Sequence, residues 1–160
     1  MGENEQLGGV PQLVSMLRSH VERCLQDVWE LPELVTDGDG DYPYRYGTAA
    51  CWVSIQPGPD PGVRVFAHAA HSLRRSARLL EEVNELNSRS RWARIFWADG
   101  VVYVSAELHW TQVDQAALDR TWDCVGSVAD DIGAMLATVF GGATPFPVES
   151  DETSEDEEAA

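Results

Sequence analysis

The strongest constraint on the fold of this chain is a two-residue turn, Asp99-Gly100, placed between two apolar-rich runs. A β-hairpin loop of this length needs positive φ angles, which Gly and Asp tolerate. The turn therefore predicts an antiparallel hairpin with strands over residues 91–98 and 101–108. Upstream of it, a strand over 63–70 and a helix over 76–88 complete a strand, helix and hairpin unit that is typical of a small α+β domain.

The register of the hairpin follows from the turn, one pair at a time. Ile95 opposes Val104, and Phe96 opposes Tyr103. Because successive side chains of a strand point to opposite faces, the first pair belongs to an apolar face, which we expect to be the core, and the second pair belongs to the other face. The same alternation assigns the remaining pairs, Trp97 with Val102 and Ala93 with Ala106 on the first face, and Arg94 with Ser105 and Trp92 with Glu107 on the second.

The neighbouring strands repeat this division between an aliphatic face and an aromatic, amphipathic face. Aliphatic residues and Cys51 alternate with Trp52 in one strand, and with Phe66 and His68 in the next. Monomers rarely expose large aromatic surfaces, so the aromatic face needs a cover, from a helix of the same chain, a second subunit or a bound peptide. Arg94 and Glu107 offer the polar contacts that interfaces combine with aromatic anchors. The candidate partner-binding residues are Trp52, Phe66, Trp92, Arg94, Phe96, Tyr103 and Glu107.

The other elements are predicted from periodicity. Apolar residues at three- and four-residue steps indicate a first helix over 11–29, with Pro11 in its first turn, and a long last helix over 113–140. Strands are predicted over 42–47 and 48–55. In the middle helix, Ala77, Leu80, Val83 and Leu86 form the predicted buried stripe, and Leu79 is left over and needs a cover. The predicted fold is α+β, ordered α-β-β-β-α-β-β-α, with the N- and C-terminal helices on one face of an antiparallel sheet.

Composition divides the chain into a domain and two ends. Residues 1–9 are predicted to be a flexible N-terminus, residues 10–144 the domain, and residues 145–160 a disordered tail with seven acids between Glu149 and Glu158. A net charge of −16 makes nucleic acid a poor partner. No apolar run is long enough for a membrane span, and the acidic start MGENEQ is unlike a signal peptide, so we expect a cytoplasmic protein without membrane contact.

The sequence offers no catalytic, metal or cofactor motif. The run Asp37 to Asp41 resembles the start of an EF-hand loop, but Tyr42 replaces the required Gly and Thr48 the bidentate Glu, which favours a turn. The four His residues have no ligand spacing, and no nucleophile elbow or phosphate-binding Gly loop occurs. Three widely spaced Cys residues, Cys24, Cys51 and Cys124, favour reduced thiols over disulfides. We therefore expect a binding protein and no enzyme.

The order of elements resembles the type III secretion chaperone and YbjN-like fold, and several phrases are similar to actinobacterial members of that group. These phrases are FAHAAHSL, LLEEVNELN, WARIFWADGVVYVSAEL and VADDIGAMLATVFGG, within residues 10–142. The resemblance implies a non-enzymatic, chaperone-like module, commonly homodimeric, that holds peptide segments of a client. A regulatory adaptor in bacterial signal transduction, bound to a folded partner domain, is the alternative. The sequence names neither the partner nor a secretion system.

Overall fold

The structure is a computed structural model that describes residues 6–148. Three α-helices, α1 (Gln6–Trp29), α2 (Ala77–Arg89) and α3 (Gln115–Phe140), accompany five strands. The strands are β1 (Tyr42–Tyr46), β2 (Ala49–Gln56), β3 (Gly62–Ala70), β4 (Arg94–Ala98) and β5 (Val101–His109). They form one antiparallel sheet in the order β1-β2-β3-β5-β4, which confirms the predicted α+β fold and order of elements.

The helices pack on one face of the sheet, which we call the core face. Alternate strand residues supply its side chains, and helices contribute leucines and valines from their apolar stripes. Val65, Ala67 and Val104, in the two central strands, are fully buried, and Ile95 on β4 is 5% exposed. These burials agree with the predicted register, in which Ile95 and Val104 face the core.

The hairpin has the predicted register over most of its length. Arg94 pairs with Ser105, Ile95 with Val104 and Phe96 with Tyr103, and Asp99 and Gly100 both have positive φ in the turn. The pairing stops at Arg94, however, so β4 is three residues shorter than predicted. The predicted pairs Ala93–Ala106 and Trp92–Glu107 are not formed.

Small residues let α3 approach the core face closely. A Cβ atom added to Gly133 would lie 2.4 Å from the carbonyl oxygen of Ala69, and one added to Gly126 would overlap the ring of Tyr46. Asp114 caps the start of α3, and its side chain accepts a hydrogen bond of 2.7 Å from the N–H of Ala117. The helix ends at Gly141, which has a φ of 72°.

Two helix predictions are corrected. The first helix begins at Gln6 rather than at Pro11, so Pro11 lies inside the helix instead of in its first turn. In α2, Leu79 is fully buried in the core and Ala77 is exposed, so these two assignments are wrong, whereas Val83 is buried and Leu80 and Leu86 are partly buried within the predicted stripe. The buried residues follow the steps from Leu79 to Val83 and on to the partly buried Leu86, because this phase turns the helix towards β4 and the core. Leu79 therefore needs no cover from a second molecule.

The segments around the domain complete the description. Asp37 Oδ1 accepts hydrogen bonds of 3.0 Å from the N–H groups of Asp39 and Asp41, which forms the predicted turn before β1. At the other end, the N–H of Phe146 donates to the carbonyl of Thr48, two residues past the predicted domain end at 144. Residues 1–5 and 149–160, which hold much of the predicted N-terminus and the acidic part of the predicted tail, lie outside the described residues.

Candidate functional site

The sheet face opposite the helices carries a continuous row of five rings, which we call the aromatic face: Trp52, Phe66, His68, Tyr103 and Phe96. Trp52 stacks on Phe66 with ring centroids 5.2 Å apart, and Phe96 stacks on Tyr103 at the same distance. His68 joins the two stacks, with its ring 4.7 Å from Trp52 and 4.8 Å from Tyr103. The row crosses four strands, from β2 to β4.

Strand register places these rings side by side. Trp52 is the cross-strand partner of Phe66, His68 pairs with Tyr103, and Tyr103 pairs with Phe96. Directly opposed residues on one face bring their Cβ atoms within ~5 Å, so rings at these positions make contact. Four of the rings are among the predicted partner-binding residues. His68 was expected on this face but not in the binding set, although it stands two residues after Phe66, the spacing that identifies a shared face.

The aromatic face is open within the part of the chain that the structure describes. All five rings are partly exposed, and none of them packs against the hydrophobic core cluster. By contrast, core-face neighbours such as Val104 and Val65 are fully buried beneath the helices. Of the three covers considered from the sequence, a helix of the same chain is therefore excluded for residues 6–148. The remaining possible covers are a partner molecule and a segment of the chain outside this range.

Charged side chains border the rings. The Arg64 guanidinium lies 4.9 Å from the centroid of the Phe66 ring, and its Nε donates a 3.2 Å hydrogen bond to Ser105 Oγ. Arg94 forms an exposed ion pair with Glu107 at 2.7 Å. Arg94 and Glu107, both predicted as polar contacts, thus meet on this face, and Arg64 is an additional cation that the predicted set did not include.

His68 lies in the middle of the aromatic face. Burial among the neighbouring rings lowers its pKa, and the nearby His71 lowers it further. The imidazole is therefore mostly neutral at pH 7, and the row presents no net charge at its centre. A neutral, ring-rich surface suits apolar side chains better than ions.

Trp92 is the predicted site residue that the structure places elsewhere. It precedes β4, is 75% exposed, and has the Arg91 guanidinium 5.4 Å from its ring centroid. Because the strand pairing stops at Arg94, Trp92 does not oppose Glu107 and does not join the row of rings. It stands instead over a groove between β5 and α3, on the helix side of the sheet.

Cys24, Cys51 and Cys124 are free thiols, and burial raises the pKa of Cys51 to about 12, which suppresses its thiolate form. Within residues 6–148, no group of three His, Cys, Asp or Glu side chains is arranged to hold a metal ion. None of the helices there has the length and apolar character needed to cross a membrane.

The fold is shared with a solved structure. A chain from the crystal structure of the ExsC–ExsE complex superposes with a TM-score of 0.58 at 17% sequence identity, over 74% of the present chain and 94% of that chain. At this level of identity the likeness shows the fold alone. It places the chain in the class of α+β domains with a helix-covered, five-stranded antiparallel sheet.

The sequence narrows this class to a family. A family described as "T3SS (YopN, CesT) and YbjN peptide-binding chaperone 1", TY-Chap1, matches residues 15–148. The chain belongs to this family, which confirms the resemblance drawn from its motifs. No curated protein matches the sequence.

Proposed function

We propose that this protein is a non-enzymatic, chaperone-like module that binds a segment of another polypeptide on its aromatic face. The open row of five rings is the observation that carries the proposal. The family description as a peptide-binding chaperone supports it. Trp52, Phe66, Phe96 and Tyr103 are the proposed anchors, with Arg64, Arg94 and Glu107 as polar contacts.

The physical argument rests on the area and geometry of the rings. Stacked and edge-on rings form a wide apolar surface whose side chains are already held in place by their neighbours. A partner therefore buries aromatic area without the entropic cost of ordering these side chains. Aromatic anchors of this kind dominate binding energy at many protein interfaces.

The border of the face favours a segment with apolar side chains and some carboxylates. Arg64 and Arg94 outnumber Glu107 here, although the protein as a whole has a net charge of −16. Complementary charges speed association and fix register more than they add affinity. We therefore propose an apolar segment with interspersed acidic residues as the client.

Self-association is a further part of the proposal. A homodimer would bury apolar surface that a monomer leaves open, and the resemblance to the chaperone family implies pairing. The buried position of Leu79 removes one argument for a dimer, so the proposal now depends on the aromatic face and the family. The cytoplasmic location and the adaptor alternative both stay predictions.

The proposal is tested by purifying the full-length protein with its bound partner, identifying that partner, and measuring its affinity for variants. Phe96→Glu places a charge in the row of rings and should weaken client binding by about 2 kcal/mol or more. Val139→Glu, on the exposed side of α3, is the matched control and should leave the affinity unchanged. Equal affinities for Phe96→Glu and the unaltered protein would contradict the proposal.

A second measurement separates the two possible covers. Sedimentation of the unaltered protein and of Phe96→Glu at micromolar concentration reports whether the face joins two copies. If Phe96→Glu is monomeric and the unaltered protein is a dimer, the aromatic face is the dimer interface. A client that is bound only as a folded domain, and not as a synthetic segment of its sequence, would favour the adaptor.

A further inference from the structure

The unequal lengths of β4 and β5 leave part of a strand edge open. β4 pairs with β5 only as far as the pair Arg94–Ser105, whereas β5 continues to His109. The residues Ala106–His109 of β5 are paired with β3 on one side, and no strand within residues 6–148 pairs with them on the other. An open strand edge is a template for another extended chain.

A groove of about 600 Å³ follows this edge on the helix side of the sheet, and we call it the edge groove. Ala106 and Leu108 of β5 form its floor, and they are partly exposed although they point to the core face. The first half of α3 forms the opposite wall with three side chains at helical spacing, Ala117, Thr121 and Cys124. The side chains of this floor and wall are small or apolar and leave room for the side chains of a partner, and Glu107, Gln112 and Arg120 add polar groups to the lining.

Trp92 stands at the mouth of the edge groove and is the most exposed aromatic side chain in the described part of the chain. An indole that is 75% exposed has apolar area to bury against a partner. Tryptophan at the border of a groove is among the commonest energetic anchors of protein interfaces. Its position over the open edge would let it close upon a chain lying there.

The charges around the edge groove favour an acidic partner. Arg120 belongs to the α3 wall, and Arg91 lies against the Trp92 ring. Glu107, the acid of the groove lining, is already paired with Arg94. The surplus of positive charge is local, because the chain as a whole is strongly acidic.

We infer that the edge groove is a second binding site, which takes a short extended polypeptide segment with small apolar side chains and a carboxylate. The segment pairs with the open edge of β5, its apolar side chains enter the groove under Trp92, and its carboxylate meets Arg120. A strand edge recognises peptide backbone, so a polypeptide fits this site better than a small molecule does. The inference rests on the proposed function for the kind of partner. The floor of the groove lies on the opposite side of the sheet from the aromatic face, and Glu107 at the strand edge borders both sites.

The test uses two acetylated, fluorescently labelled octapeptides in which valine and threonine alternate. The first peptide has an aspartate at each end, and the second has a lysine at each end. Fluorescence anisotropy with the full-length protein measures their affinities. The aspartate peptide should bind at least tenfold more tightly than the lysine peptide. N-methylation of alternate backbone nitrogens should weaken the aspartate peptide at least tenfold, because it removes the donors that pair with β5.

Variants then locate the binding. Trp92→Ala should weaken the aspartate peptide about tenfold or more, as expected for an aromatic anchor. Trp110→Ala, at a tryptophan that is 38% exposed and does not line the groove, is the matched control and should change affinity less than twofold. Phe96→Glu should also leave this affinity within twofold, which separates the edge groove from the aromatic face. Since Trp92 is exposed, its removal should not lower the melting temperature.

Three outcomes would overturn the inference. The first is an aspartate peptide that fails to bind the unaltered protein at millimolar concentration. The second is binding that Phe96→Glu abolishes and Trp92→Ala leaves intact, which would assign the peptide to the aromatic face and uphold the proposed function alone. The third is a dimer that Trp92→Ala converts to a monomer, with peptide binding unchanged, which would make the groove a contact between two copies.

Discussion

The two faces of the sheet are built from the same strands and by the same alternation of side chains, yet they differ in burial. On the core face, Val104 and its neighbours are sealed beneath α3. On the aromatic face, the adjacent residue Tyr103 is half-buried and contacts the rings of His68 and Phe96 in its own row. One face forms the core, and the other stays partly exposed within residues 6–148.

The difference shows that side-chain size and apolar character do not by themselves mark the core. The core face is filled mainly with valine, alanine and leucine, and Gly133 lets α3 contact the β3 backbone at Ala69. The aromatic face holds larger rings that support one another and tolerate solvent at their edges. Substitutions on the two faces should therefore separate stability from binding.

The largest expected effect comes from placing a charge on each face in turn. Val104→Asp buries a carboxylate without a partner and should lower the free energy of unfolding by about 4 kcal/mol or more. Tyr103→Asp should lower it by only about 1 kcal/mol, through lost ring contacts. Urea unfolding followed by circular dichroism measures both values. Similar losses for the two variants would mean that the faces are not distinct in stability.

The next effect sharpens the account of the core face. Gly133→Ala adds a Cβ atom against the backbone oxygen of Ala69, so the helix must shift. The free energy of unfolding should therefore fall by about 2–3 kcal/mol. Gly38→Ala is the control, because a Cβ atom there meets nothing within 4 Å. Thermal unfolding of the two variants tests the comparison. A Gly133→Ala protein as stable as the control would show that α3 is not tightly seated on β3.

A smaller effect concerns the buried thiol of the core face. Burial raises the pKa of Cys51 from its ordinary value of 9.0 to about 12, so its contribution to stability is complete below pH 9 and is lost as pH rises towards 12. Between pH 8 and pH 10 this loss should be about 1 kcal/mol greater in the unaltered protein than in Cys51→Ala. Urea midpoints at the two pH values provide the measurement. An identical pH dependence would show that Cys51 is open to solvent.

The smallest effect belongs to the aromatic face. Because the pKa of His68 is lowered in the folded protein, its contribution to stability is present above pH 6.5 and is lost as pH falls through the lowered pKa. The His68→Gln variant should therefore lose less stability between pH 7 and pH 5 than the unaltered protein does. Histidine NMR titration gives the pKa directly. A value at or above 6.5 would mean that the row of rings does not desolvate the imidazole.

Much of the fold could be predicted from sequence because its signals are local. The Asp99-Gly100 turn sets the register at one point, and each pair from Ala98–Val101 to Arg94–Ser105 follows from it. The prediction was wrong beyond Arg94, where contacts with α2 intervene. Asn87 Oδ1 accepts a hydrogen bond from the N–H of Ile95, and Ser90 Oγ donates to the carbonyl of Ala93. These contacts end the strand, and they place Trp92 away from the row of rings.

The phase of α2 was not predictable for a related reason. Leu79 and Leu80 are both apolar and adjacent, so a three- or four-residue step from Val83 selects either of them. The contacts of α2 with β4 and the core determine that Leu79 is the fully buried residue of the two. The edge groove likewise has no sequence signal of its own, since it depends on where β4 stops and on how α3 passes β5.

The sequence by itself determined the α+β order, the hairpin register and the division of strand residues between two faces, because alternation and turn chemistry act between near neighbours. Only the tertiary structure decided that no helix within residues 6–148 covers the aromatic face, which leucine of α2 is buried, and that β5 extends beyond the end of β4. Those outcomes depend on packing between elements far apart in the chain. No local pattern carries that information.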